Sequence, residues 1–134
     1  MMGRGTRAEL GQLEATVLAV VAAADGPVTV GMVQVRLPGS PAYTTVMSTL
    51  VRLTAKGALT RKLQGRAYRY ELAAPEEAID DALAARRMHQ LMGRRGTHRN
   101  AVLARFVAEL DPDEERLLAE LISRSPEPDR FEGT

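Results

Sequence analysis

The feature that most constrains this chain is a change of hydrophobic period after Gly57. Before it, apolar residues recur at helical spacing. After it, Tyr68, Tyr70 and Leu72 alternate with Ala67, Arg69 and Glu71. A period of two belongs to a strand, because successive side chains leave opposite faces. Leu59 and Leu63 flank Thr60-Arg61-Lys62, and Gln64-Gly65 supplies a tight turn. The segment from Leu59 to Leu72 therefore reads as a β-hairpin. Its aromatic face is expected to pack inward, with Arg69 turned to solvent or a ligand.

Three helical segments precede the hairpin. Leu10, Leu13, Val17, Leu18, Val20 and Val21 predict a helix over residues 7–24, stopped by Asp25-Gly26-Pro27. Val28 reads as one extended residue, and Thr29 as the N-cap of a short helix over residues 30–37. Pro38-Gly39-Ser40-Pro41 is a turn. A third helix runs over residues 43–56, with Val46, Leu50 and Leu53 on one face. Thr44, Met47, Ser48, Val51 and Arg52 fall on the others.

Helical spacing returns after the hairpin. Pro75-Glu76-Glu77 suits a first turn, with acids facing the helix dipole. Ile79, Leu83, Met88, Leu91 and Met92 continue to about residue 93. Ala101, Val102, Leu103, Phe106, Val107 and Leu110 form a further stripe, and Leu117, Leu118, Leu121 and Ile122 the last. The expected fold class is mainly α with a small β-hairpin. A winged helix-turn-helix covers residues 7–73, a three-helix dimerisation domain residues 75–124, and a disordered tail residues 125–134.

Composition narrows the chemistry. Apolar residues make up 45% of the chain, aromatics only 4%, and Trp is absent, so Ala, Leu, Val and Met must build the core. With no Cys there is no disulfide, thiolate zinc site or Cys nucleophile, which fits a cytoplasmic protein. No run approaches the ~20 apolar residues that a membrane span needs. Residues 1–6 are too short and polar for a signal peptide. His89 and His98 are the only histidines, in Arg-rich surroundings that repel a cation, so neither a metal nor another cofactor is expected. No phosphate loop, dinucleotide fingerprint or catalytic triad is present, and the chain does not read as an enzyme.

Charge is divided unevenly. Residues 1–72 hold nine Lys/Arg against four acids, and residues 73–134 nine Arg against thirteen acids. A basic half joined to an acidic half suits a nucleic-acid-binding domain with an appended body, although chance segregation would give the same balance. Major-groove reading needs short polar side chains near a helix start. Tyr43, Thr44, Thr45, Met47 and Ser48 meet that need, and Arg52 and Lys56 lie one and two turns on, where a phosphate backbone would pass. Arg61, Lys62, Arg66 and Arg69 make the hairpin basic and suit phosphate contact. Capping and solvated faces would explain each feature alone. Their order, helix, turn, helix, basic hairpin, favours double-stranded DNA.

The C-terminal stripes are too short to enclose a core unaided. Leu83, Leu91, Val102, Phe106, Val107, Leu110, Leu117, Leu118 and Leu121 are therefore candidate seam residues of a homodimer, with Ala73-Ala74-Pro75 as a hinge. Folding back on the same chain is the alternative. A regulator that senses a small ligand directly, and a helical protein-interaction module, are the rival functional readings.

Several segments carry a likeness. Ala42 to Leu53 reads A-Y-T-T-V-M-S-T-L-V-R-L, followed by K-G-A-L from Lys56 and G-R-A-Y-R-Y from Gly65. L-G-x-L-E-x-x-V-L from Leu10 and A-V-L-A-R-F-V from Ala101 agree. The chain resembles the penicillinase repressor family of the BlaI/MecI type over roughly residues 7–123. The resemblance implies a winged-helix homodimer that represses a β-lactamase or related operon at a palindromic operator of TACA/TGTA character. It also implies release by a membrane-bound sensor peptidase, with cleavage at Arg105–Phe106. Arg105 stands where well-known members have Asn. A copper-responsive branch carries a Cys-x-Cys pair, which this chain lacks.

Overall fold

The computed structural model describes Arg7 and residues 10–124. The tail expected over residues 125–134, and the first residues after Arg7 in the first predicted helix, lie outside the described residues. The chain divides into two compact units, one ending at Leu91 and the other beginning at Met92.

The first unit follows the predicted order. Helix α1 spans Gln12–Ala23, α2 Val30–Arg36 and α3 Tyr43–Ala55. Strands β1 (Leu59–Gln64) and β2 (Ala67–Leu72) pair antiparallel, with Leu59 opposite Leu72 and Gln64 opposite Ala67. One 3-10 turn, Glu76–Ala78, leads into α4, Ile79–Leu91. Thr29 caps α2 by accepting from the Met32 N–H at 3.2 Å. Val28 adds a third, one-residue strand: its N–H and carbonyl both bond to Tyr70 at 2.8 Å. The hairpin turn is Gly65-Arg66, one residue later than expected. Gly65 sits at φ 63°, where a two-residue hairpin with Gly first wants a positive angle. This puts Arg66 at the tip of the wing.

Val17, Leu18, Val21, Val28, Val33, Val46, Leu50, Leu53, Leu59 and Tyr70 form the core. Each such aliphatic side chain stabilises by about 1.5–3 kcal/mol on full burial. Ile79 and Leu83 belong to the same cluster. Leu83, expected on a dimer seam, is only 4% exposed within its own chain. Its stripe reads the same whether it buries against a partner or against its own domain, and here its own core takes it. The Ala73-Ala74-Pro75 segment accordingly lies within the first unit and does not separate the two bodies.

Gly57 makes that docking possible. It follows the C-cap of α3 at φ 92°, and Ala58 donates back to the Leu53 carbonyl at 3.0 Å. A Cβ at Gly57 would come within 2.8 Å of the Arg86 Cβ on α4. Arg86 and Gln90 donate in turn to the Ala55 carbonyl, at 3.1 and 3.4 Å, satisfying an orphan acceptor at the end of α3. Arg7 joins the chain ahead of α1 to α4, its backbone N–H donating to Asp80 at 3.0 Å.

The second unit contains α5, Thr97–Ala108, and α6, Pro112–Arg124. Asp111 and Glu114 cap α6 reciprocally: the Glu114 N–H donates to the Asp111 carboxylate at 2.8 Å, and the Asp111 N–H to Glu114 at 3.1 Å. No described residue of this unit is buried. Val102, Leu110 and Leu118 are half-buried, while Leu103, Phe106, Val107, Leu117, Leu121 and Ile122 are exposed.

Candidate nucleic-acid interface

Helix α3 has two faces because its apolar residues repeat at i, i+3, i+4 and i+7. Val46, Thr49, Leu50 and Leu53 are buried. Tyr43, Thr44, Thr45, Met47, Ser48 and Val51 are exposed, so the side chains expected to read DNA do share one open surface. Thr49 is tolerated inside because its hydroxyl donates to the Thr45 carbonyl at 2.8 Å. Ala42 occupies the N-cap in an extended conformation and offers no side-chain oxygen. The first N–H groups of α3 are thus left to solvent or to an anion.

The wing divides its three strand cations between two faces and carries the fourth, Arg66, in the turn. Arg61 pairs across the ladder with Tyr70, and Leu63 with Tyr68, on the side turned toward the core. Lys62 stands opposite Arg69 on the other face. Like charges directly opposite are unfavourable and give that face a concentrated positive charge. The Arg61 guanidinium lies 4.0 Å from the centroid of the Tyr68 ring. Its hydrogen bond to Tyr70 raises its pKa above the already high arginine value, so the charge is permanent.

Arg61 and Arg66 line a cleft of about 280 Å³ together with Tyr43, Met47 and Val51 of α3 and the start of α2. Two of the wing cations and the recognition surface therefore open onto one space. Lys62 and Arg69 do not line it.

Arg52 and Lys56 depart from expectation. Both are engaged by Glu14 of α1, Arg52 Nε at 3.1 Å and Lys56 Nζ at 2.9 Å. Neither is an uncommitted phosphate ligand. Burial pushes the Glu14 pKa up, but hydrogen bonds from Lys56, the Gly11 N–H and Arg52 outweigh it and leave the pKa lowered. A signal for this existed in the sequence. Glu14 falls on the stripe of Val17, Leu18 and Val21, and a carboxylate on a buried stripe needs cationic partners.

Arg105 and Phe106 lie inside α5, both exposed, and the Phe106 carbonyl accepts from the Glu109 N–H at 3.2 Å. Among the described residues no three His, Cys, Asp or Glu side chains gather as a metal site. No described helix is long and apolar enough to cross a membrane.

Three packed helices, a two-stranded wing and an exposed polar helix face beside a cleft lined by two arginines are the arrangement of a winged-helix, DNA-binding transcription regulator. The chain belongs to the penicillinase repressor family, whose model matches residues 10–124. Two solved transcriptional regulators are similar to it. PcaV from Streptomyces coelicolor, solved with its natural ligand, is 22% identical with a TM-score of 0.46, covering 87% of this chain and 74% of PcaV. Tm0710 from Thermotoga maritima is 25% identical with a TM-score of 0.44, covering 79% of this chain and 77% of its own. None of the curated proteins matches.

Proposed function

We propose that this protein represses transcription as a homodimer on a palindromic operator, with one α3 helix in the major groove of each half-site. The observation that carries the reading is the shared cleft of Tyr43, Met47, Arg61 and Arg66, which joins a groove-reading surface to a phosphate-binding wing. Thr44, Thr45 and Ser48 supply hydroxyls for base edges, and the Thr methyl groups suit thymine methyls. Arg66, at the wing tip, takes phosphate, and Lys62 and Arg69 widen the basic field without reading sequence.

The second unit is the proposed dimer clamp. Val102, Phe106, Val107, Leu110, Leu117, Leu118 and Leu121 are its proposed seam residues, supported by the exposed apolar faces of α5 and α6, and Leu91, exposed at the end of α4 in the first unit, is a further candidate. Dimer symmetry would set half-site centres about 34 Å apart. The regulated genes are proposed to be a β-lactamase-type or cell-envelope stress operon. Release would come through a membrane-bound sensor peptidase, with cleavage at Arg105–Phe106.

Mobility-shift titration over a salt series tests this directly, with a TACA/TGTA palindrome and a random duplex of equal length. Salt-dependent binding with a preference for the palindrome is expected. Thr45→Ala should cost about 1–2 kcal/mol on the palindrome and little on random DNA. Absence of binding at low salt would sink the reading.

A further inference from the structure

Glu14 is the one buried carboxylate among the described residues. Its side chain is 8% exposed, whereas those of Arg52 and Lys56 are 55% and 43% exposed. All its acceptor capacity is directed at a few donors. Oε1 accepts from the Gly11 N–H at 2.9 Å and Lys56 Nζ at 2.9 Å. Oε2 accepts from Arg52 Nε at 3.1 Å and Lys56 Nζ at 3.1 Å. The anion is internal, and the cations it binds belong to the surface.

Those cations stand beside the reading face. Arg52 lies one turn beyond Ser48 on α3, and Lys56 one turn further. Left alone, they would be two mobile positive charges on the flank of the recognition helix. Bound to Glu14, the three groups carry one net positive charge, and both heads are drawn toward α1.

We propose that Glu14 sets the strength and salt dependence of DNA binding by withholding Arg52 and Lys56 from the phosphate backbone. The proposal rests on the DNA-binding reading above. Phosphate contacts add affinity for every sequence alike. Withholding two of them weakens binding to every duplex alike and leaves discrimination to Thr44, Thr45 and Ser48. Glu14 touches no DNA itself and is a positioning residue.

The test uses the full chain on random and palindromic duplexes between about 50 and 200 mM salt. Glu14→Gln releases both cations, so the salt slope on random DNA steepens by about one to two units. The ratio of affinities across that salt range then grows about 3- to 12-fold, on the palindrome as on random DNA. Arg52→Gln and Lys56→Gln in the natural background leave the slope unchanged. An unchanged slope in Glu14→Gln overturns the proposal. So does a slope flattened by about one unit in either cation variant, since that cation would already be on a phosphate. Where circular dichroism shows Glu14→Gln unfolded, the two cation variants decide. Arg66→Ala keeps the two readings apart. If it flattens the slope by about one unit while the Glu14 arm fails, DNA binding stands and the withholding does not.

Discussion

The two units of this chain differ in where their apolar side chains end up. Helices α1 to α4 and the hairpin enclose a core in which Val17, Val33, Val46, Leu50 and Leu53 lose all contact with solvent. Helices α5 and α6 are equally regular, and Asp111 and Glu114 cap α6, yet they leave Phe106, Leu117, Leu121 and Ile122 exposed. Regular helices alone therefore do not make a closed body. Closure needs a second layer, which the hairpin and α4 provide in the first unit.

Breaking the first unit should produce the largest effect. Leu50→Ala leaves a cavity where α3 meets the core and is expected to cost 2–5 kcal/mol, roughly, in urea unfolding. A loss well under about 1 kcal/mol would mean that this core is looser than its burial indicates. The second unit should respond differently. Leu118→Asp places a charge on the proposed seam and is expected to raise the dimer dissociation constant at least tenfold, about 1.4 kcal/mol, in sedimentation. Intact dimers would remove α6 from the seam. The smallest expected effect is electrostatic. The Glu14 pKa is lowered in the folded state below its ordinary 4.5. Its contribution to stability is therefore complete above that value and is lost as pH falls through the lowered one. Urea midpoints should drop on acidification below about pH 4.5, and drop less in Glu14→Gln. Parallel curves for the two proteins would show that Glu14 does not carry the acid sensitivity.

What could be read from the sequence depended on how local the determinant was. The three N-terminal helices follow from spacing and punctuation within each segment, with Thr29 as the cap that its position implied. The hairpin follows from parity, which also separates Arg61 from Lys62 and Arg69. The destination of α4 was not legible, because an Ile79–Leu83 stripe carries no record of which core receives it. The engagement of Arg52 and Lys56 was hidden for a related reason. Their carboxylate lies 38 and 42 residues away in the chain, and only the packing of α1 against α3 brings it near. The winged-helix architecture depends on neither contact, because it follows from the order of the elements.

The helical setting of Arg105 and Phe106 bears on time as well as place. Peptidases take their substrates as extended strands, and a bond wound into α5 cannot lie across such a cleft until the hydrogen bonds around it open. Any peptidase acting at this bond therefore waits on local unwinding, and the pace of cleavage belongs to the substrate as much as to the enzyme. A substitution that strengthens α5 would lengthen the life of the intact chain without touching the bond, and one that loosens it would shorten that life.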